Sequence, residues 1–474
     1  MKPPSSLSPA RKPRSRLPAA TAGLLLLALT TLFLLHAADL RSSFSSPSSS
    51  DDNDEDLPSF FHPHPAPLLK AVIADHDHHD ITTTNNTINS SNENENTDHD
   101  LCDVYDGKWV YDNDEREEQE KEEEGKGRGR GRRRNPIYKE AECGFLTEQV
   151  TCMRNGRRDD AFQKWRWQPR RCDLPRFDAK ALLEKLRGKR LMFVGDSLNR
   201  NQWESMVCLL QWVAPWDKKT LVKNGSLNVF TLQEYNATVE FYWAPFLVES
   251  NSDDPTIHSI QNRIIMPTSI AKHAANWKGV DYLIFNTYIW WMNTPRMKVL
   301  RGSFDKGSTK YDEIDRPVAY RRVLKTWARW VEKNVDLRKT MVFFMSSSPI
   351  HIKSAGWGNP NGIKCAMETM PVANRTKPLE LGTDWRLFAV AAETARWLNR
   401  RGTPVHFVNI TALSEVRKDA HTSVHTLRQG KLLTPEQQAN PAMYADCIHW
   451  CLPGVPDTWN EFLYAQIMSG PPKQ

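Results

Sequence analysis

With 474 residues the chain exceeds one typical domain, yet Lys and Arg outnumber Asp and Glu only by 63 to 57. A net charge of +6, gathered in blocks, argues against a protein built as a whole to bind nucleic acid. The 17 tryptophans suit either a large aromatic core or a sugar-binding surface.

Lys2, Arg11, Lys12, Arg14 and Arg16 precede an apolar run over 17–38, densest from Leu24 to Leu35. That length spans a bilayer, and a basic flank stays on the cytoplasmic side. We therefore expect a cytoplasmic tail over 1–16, a transmembrane signal anchor over 17–38, and a lumenal remainder. A cleaved signal peptide is the rival, with His36-Ala37-Ala38 as a poor small-residue cleavage site. Residues 39–100 are rich in Ser, Asp, Asn, His and Pro and read as a disordered stem. Within it the tract from His76 to Asp80 is read as solvated polar chain, not as a metal site, because no ordered scaffold surrounds it.

A folded lumenal domain is expected over 101–474. It is interrupted over 112–135 by an acidic block, Asp114 to Glu124, followed by a Gly/Arg-rich block, Lys126 to Arg134. This reads as a flexible charged surface insertion. Cys102, Cys143, Cys152, Cys172, Cys208, Cys365, Cys447 and Cys451 all lie in the lumenal part, and an even number there predicts disulfides. Spacing leaves their pairing open. We expect the N-terminal cysteines to staple onto the loop of Cys447 and Cys451. No C-x2-C pair occurs and no metal is expected. Sequons at Asn85, Asn89, Asn224, Asn236, Asn374 and Asn409 fit a secretory route.

Short apolar runs at Leu191–Val194, Tyr282–Asn286, Met341–Ser346 and Val405–Asn409 read as buried strands. Helices are expected over 199–212, 318–334, 384–400 and 458–468. In the second, Val323, Leu324, Trp327, Trp330 and Val331 recur at helical spacing. Such alternation predicts an α/β fold with a mainly parallel central sheet covered on both sides. The Val229–Leu247 stretch, with Ala237 to Trp243 inside it, reads as an antiparallel excursion.

In sheets of this kind the site lies at the carboxyl ends of the strands, where Gly195-Asp196-Ser197 falls. A serine on that turn serves as a nucleophile if a base reaches it; otherwise Asp196 and Ser197 are an ordinary helix cap. The base candidate is distant in sequence: Asp446 and His449 sit three apart in Asp446-Cys-Ile-His-Trp-Cys451, close enough for one local turn to hold both. An Asp accepting from one imidazole nitrogen frees the other to take a serine proton. Cys447 and Cys451 bracket this turn, so disulfides would pin it.

These two stretches resemble the paired motifs of the plant trichome-birefringence-like family. So do Trp165-Arg-Trp-Gln-Pro169, Cys172-Asp-Leu-Pro-Arg-Phe177 and Phe285-Asn-Thr-Tyr-Ile-Trp-Trp291. The resemblance runs from about Cys102 to Met468. It implies a GDSL/SGNH-hydrolase-like α/β/α sandwich, disulfide-stapled, with insertions forming a smaller lobe. It further implies a wall-polysaccharide O-acetyltransferase of the xylan branch, in the Golgi membrane with its catalytic domain lumenal. Acetyl would pass to O-2 and/or O-3 of xylosyl residues through an acetyl-serine. Ser197 is then the nucleophile, His449 the base and Asp446 its orienter. Gly195, Asp196, Asn286 and Arg200 are candidates for the oxyanion hole or its surroundings, and Trp290 and Trp291 for stacking a sugar. No bound cofactor is expected; the acetyl donor, acetyl-CoA or another lumenal acetyl carrier, is a co-substrate. The alternatives are a deacetylase with the same triad, transfer to pectin, mannan or xyloglucan, and a non-catalytic polysaccharide-binding protein. The charged insertion is the one departure from the family's pattern.

Overall fold

The computed structural model describes residues 102–112, 135–257, 262–373, 379 and 382–470. The expected tail, anchor and stem, the His76–Asp80 tract, Asn85, Asn89, Asn374 and nearly all of the charged insertion lie outside the described residues. Among the described residues no helix is long and apolar enough to cross a membrane.

The first strands, β1 (Gly107–Tyr111) and β2 (Trp165–Pro169), form an antiparallel ribbon. The insertion leaves and returns at one point beside it: Asp112 accepts a hydrogen bond from the Asn135 N–H at 3.2 Å and one from Arg166 Nε at 2.9 Å. Next comes α1 (Ala179–Lys185), capped by Asp178, then β3 (Arg190–Gly195) and α2 (Ser197–Leu210). The strands β4 (Lys219–Asn224), β5 (Leu227–Leu232) and β6 (Ala237–Trp243) follow, then β7 (Tyr282–Phe285). The chain continues through α3 (Arg316–Asn334), β8 (Met341–Met345), α4 (Trp385–Arg400) and β9 (Val405–Val408). It closes with β10 (His421–Ser423), β11 (Asp446–Trp450) and α5 (Val455–Ser469).

The central sheet runs β9-β8-β7-β3-β6-β5-β4. The five strands from β9 to β6 are parallel, and β5 and β4 add antiparallel at the edge. The expected antiparallel excursion is therefore half corrected. The stretch does pair antiparallel with β5, but β6 itself is a full parallel neighbour of β3, from Arg190 against Thr238 to Gly195 against Trp243. Its side chains are almost all buried, as a strand covered on both faces requires.

Adjacent strand residues point to opposite faces, which locates the two helical layers. Phe344 packs against Trp327 of α3, whereas its neighbour Met345 meets Gln202 of α2. Hence α2 and α3 cover opposite faces of the sheet. Val323, Leu324, Trp327, Trp330 and Val331 are all buried, so the apolar stripe expected on this helix is its sheet-facing side.

Four disulfides join Cys102–Cys172, Cys143–Cys208, Cys152–Cys451 and Cys365–Cys447. The expected staple from the N-terminal cysteines holds for Cys152 to Cys451. Cys447 instead takes Cys365 from the loop after β8, and the remaining two bridges stay inside the N-terminal half.

Candidate active site

The carboxyl end of β3 meets the amino end of α2 at Gly195-Asp196-Ser197. Here the backbone crowds: a Cβ placed on Gly195 would lie 2.3 Å from the Asn286 carbonyl oxygen and 3.1 Å from Asn199 Nδ2. Only glycine lets β3 approach the end of β7 this closely. Asp196 is fully buried and works as a clamp. One carboxylate oxygen accepts from Leu198 N–H at 3.0 Å, capping α2, and the other accepts from Tyr288 and Ile289 N–H, each at 3.2 Å. Burial pushes its carboxyl up to about 6, against the pull of those N–H groups.

Ser197 opens α2 and remains partly open to solvent. Its Oγ is 2.8 Å from His449 Nε2, and His449 Nδ1 is 2.8 Å from Asp446 Oδ2. Asp446 and His449 are both on β11, which pairs antiparallel with β10. On a regular strand, residues three apart face opposite sides. The bend that reunites them comes from Asp446 itself. Its Oδ1 accepts from Ile448 N–H and His449 N–H, each at 3.0 Å, and the ladder shifts register between His421 and Ser423. The local turn expected from the spacing is thus folded into a strand. Burial works to raise the Asp446 carboxyl, but the His449 ring and the two N–H donors outweigh it and hold it well below the usual carboxylate range. An imidazole fixed by an ionised Asp at Nδ1 presents a lone pair at Nε2 to the serine hydroxyl. That arrangement makes a nucleophile.

Two disulfides hold this strand, Cys365–Cys447 at its start and Cys152–Cys451 just past its end. A third tie went unread in the sequence. Asn201, buried on α2, accepts from the Trp450 N–H at 2.8 Å and donates to the Trp450 carbonyl at 3.2 Å. The serine helix and the histidine strand are thereby joined directly. The signal was present, since position 201 is four after 197 and shares its helical face.

The remaining candidates divide. Asn286 follows β7 at the site: its N–H donates to the Val194 carbonyl at 3.0 Å, and its buried Oδ1 has no partner among the described residues. Arg200, one turn beyond Ser197, donates to Gln149 Oε1 at 2.7 Å and lies 3.8 Å from Glu204. Trp290 and Trp291 are corrected. They lie in a 3-10 turn, Ile289–Asn293, and are 5% and 0% exposed. Trp291 donates to Thr287 Oγ1 and meets Phe246 and Tyr320 edge-on; Trp290 packs on Trp243 under the Arg263 guanidinium. Neither offers a face to a sugar. Of the described sequons, Asn224 and Asn236 are exposed, whereas Asn409 is partly buried, its Oδ1 buried without a hydrogen-bond partner among the described residues and its sequon hydroxyl, on Thr411, fully buried.

Residues 174–466 match the GDSL/SGNH-like acyl-esterase family found in Pmr5 and Cas1p, and residues 129–173 match the PMR5 N-terminal domain. The chain is similar to xylan O-acetyltransferase 6 of Oryza sativa subsp. japonica, 67% identical over 78% of this chain and 63% of that one. It is similar to xylan O-acetyltransferase 2 of the same plant, 60% identical over 79% of this chain and 71% of that one. Protein trichome birefringence-like 3 of Arabidopsis thaliana is 46% identical over 78% of this chain and 80% of its own length. The chain spans less than two thirds of the first two relatives it matches, 63% and 60%.

Proposed function

The chain belongs to the GDSL/SGNH-like acyl-esterase family found in Pmr5 and Cas1p, and from that premise we propose that it is a xylan O-acetyltransferase. The observation that carries the reading is the line of two 2.8 Å contacts from Ser197 through His449 to Asp446. Ser197 Oγ attacks the acetyl carbonyl of the donor while His449 Nε2 takes the hydroxyl proton. The tetrahedral oxyanion is met by the Ser197 N–H at the start of α2 and by the Asn286 side-chain amide. Collapse expels the donor group, which leaves with the proton from His449, and an acetyl-serine remains. A xylosyl O-2 or O-3 hydroxyl then gives its proton to His449 and attacks the ester, which frees Ser197.

Each oxyanion donor is worth about 2.7–4 kcal/mol of transition-state stabilisation. Asp446 holds the imidazole and stays ionised, and Asp196 positions the turn without touching substrate. Acetyl-CoA or another lumenal carrier supplies acetyl as a co-substrate. The apolar run over 17–38 anchors the protein in the Golgi membrane, where matrix polysaccharide is made. Transfer requires that a sugar hydroxyl be placed better than water, which is the feature separating this reading from a deacetylase.

The test uses the full chain, an acetyl donor and xylo-oligosaccharide. Acetylated product that disappears in Ser197→Ala and in His449→Ala is expected. Release of acetate from acetylated xylan, with no transfer, would instead establish the deacetylase. Intact mass after rapid quench with donor alone should show one acetyl adduct, mapped to Ser197.

A further inference from the structure

Behind His449 lies a pair of imidazoles that the acyl chemistry does not use. His351 and His421 are 0% and 1% exposed. His351 Nε2 lies 2.8 Å from the Glu415 carbonyl oxygen, and His351 Nδ1 lies 2.6 Å from His421 Nε2. His421 Nδ1 lies 3.0 Å from the carbonyl oxygen of His449 itself. The His421 ring stacks on Trp450 at 3.9 Å, and the His351 N–H donates to the Cys447 carbonyl at 3.1 Å. Both histidines therefore grip the strand that carries Asp446 and His449.

Counting protons along this chain gives an odd result. A carbonyl oxygen only accepts, so His351 Nε2 and His421 Nδ1 must each carry a hydrogen. A neutral imidazole has one N–H. Two neutral rings would then face each other across 2.6 Å with a bare lone pair on each side, in a site closed to water. Buried acceptors without a donor are costly, and here two are pressed together. One further proton between the facing nitrogens turns the repulsion into a charge-assisted N–H···N bond.

We infer that His351 and His421 share a third proton, forming a singly charged pair that positions the catalytic His449 through its main-chain carbonyl. The inference rests on the triad reading for its functional consequence, but the proton count does not. Burial opposes the charge and pulls both imidazoles down, His351 to about 4 and His421 well below its ordinary value. What carries the charge is instead the pair of facing nitrogens at 2.6 Å, which no neutral tautomer that also serves both carbonyls can pair. Favouring it are the Asp446 carboxylate on β11, Asp419 and Glu368. Opposing it are Lys418, which is paired to Glu368, and the His449 ring. Arg157, which reaches the His421 carbonyl at 3.1 Å, is paired to Asp159, and Arg417 is paired to Asp419. With these guanidinium and ammonium groups each matched to a carboxylate among the described residues, the Asp446 carboxylate and the stacked Trp450 face are left to favour the His421 cation. His421 and His351 are positioning residues, since neither touches the serine.

The proton count is read directly from histidine-15N-labelled full-length enzyme at the pH of maximal activity. Three N–H protons on the four nitrogens of the pair, one strongly deshielded, are expected. Two would overturn the inference whatever the enzyme catalyses. The positioning role is read from His351→Gln and His421→Gln, with kcat normalised to the fraction of Ser197 labelled by a fluorophosphonate. We expect kcat per labelled site to fall about tenfold with KM nearly unchanged, and one ionisation to vanish from the pH profile of kcat. Variants that merely fold less well would lose labelled sites while keeping wild-type kcat and pH profile per site, and that outcome overturns the role. Absence of Ser197 labelling in the wild type would refute the triad reading separately, and the proton count would still stand or fall by itself.

Discussion

Gly195→Ala probes the closest backbone approach at the site. The new Cβ would sit 2.3 Å from the Asn286 carbonyl oxygen, against 3.4 Å for ordinary contact, so about 1.1 Å must be found. The obstacle is main chain, held in the sheet by the Asn286 N–H bond to the Val194 carbonyl at 3.0 Å. No side-chain rotation relieves it, and β3 and the end of β7 must separate. Overpacking of this kind costs about 1–3 kcal/mol of stability. The displaced groups are Ser197, two residues on, and Asn286, and a misplacement of about 1 Å in a reacting constellation lowers kcat roughly 10²-fold. The assay is acetyl transfer to xylo-oligosaccharide, with kcat and KM determined beside a denaturant midpoint. We expect kcat to fall about a hundredfold while KM changes little. A variant with kcat within threefold of wild type and an unchanged midpoint would refute the argument, because the strands would then have had room to spare.

Asn201→Ala removes both links between α2 and Trp450 and leaves a buried N–H and carbonyl unpaired. Stability should drop by about 2–4 kcal/mol, and kcat per fluorophosphonate-labelled site should fall at least tenfold; an unchanged kcat per site would make Asn201 structural only. Trp291→Phe should lower the unfolding free energy by about 1–3 kcal/mol and leave KM for oligosaccharide within twofold, whereas a tenfold rise in KM would return this residue to the sugar site. Burial raises the Glu461 carboxyl to about 7, so the native state holds its proton more tightly than the unfolded chain does. The stability this contributes is complete below the ordinary Glu range and is lost as pH rises through about 7. Glu461→Gln should therefore gain on wild type between pH 5 and pH 8, by roughly 1–3 kcal/mol, read from denaturant midpoints at the two pH values; equal midpoint differences at both would contradict it.

The parts of the site that were legible in the sequence are those where chemistry restricts residue choice. A serine after Gly-Asp at a strand end, and an Asp three before a His between two cysteines, admit few other uses together. The four parallel strands β3, β7, β8 and β9 were readable to within a residue or two, because apolar runs buried on both faces have little else to do. Geometry that depends on side-chain direction was not readable. Trp290 and Trp291 follow a strand at the correct sheet edge, and nothing in their order says that the chain turns inward into a 3-10 turn and buries both. The spacing from Ser197 puts Asn201 on the serine's helical face, but its partner is main chain, which leaves no trace in sequence, so what it ties was hidden. The same holds for His421, whose acceptor is the His449 carbonyl. Cys365 could not be assigned to Cys447 from spacing, since the approach of the two is set by how the loop after β8 folds over β11.

Ser197 and His449 stand 252 positions apart, and the bridge that seals the histidine strand joins Cys152 to Cys451 across 299. At synthesis rates of about 5–20 residues per second, the serine emerges roughly 13–50 s before its base. The strand-end turn itself closes only when Tyr288 and Ile289 arrive to meet Asp196, and until the strand of His449 docks the Ser197 hydroxyl has no imidazole beside it. On the triad reading proposed above, activity arrives only when β11 docks against α2. On that reading a chain released before Asp446 lacks both base and orienter and is silent, not partly active. The order of translation is then a safety catch.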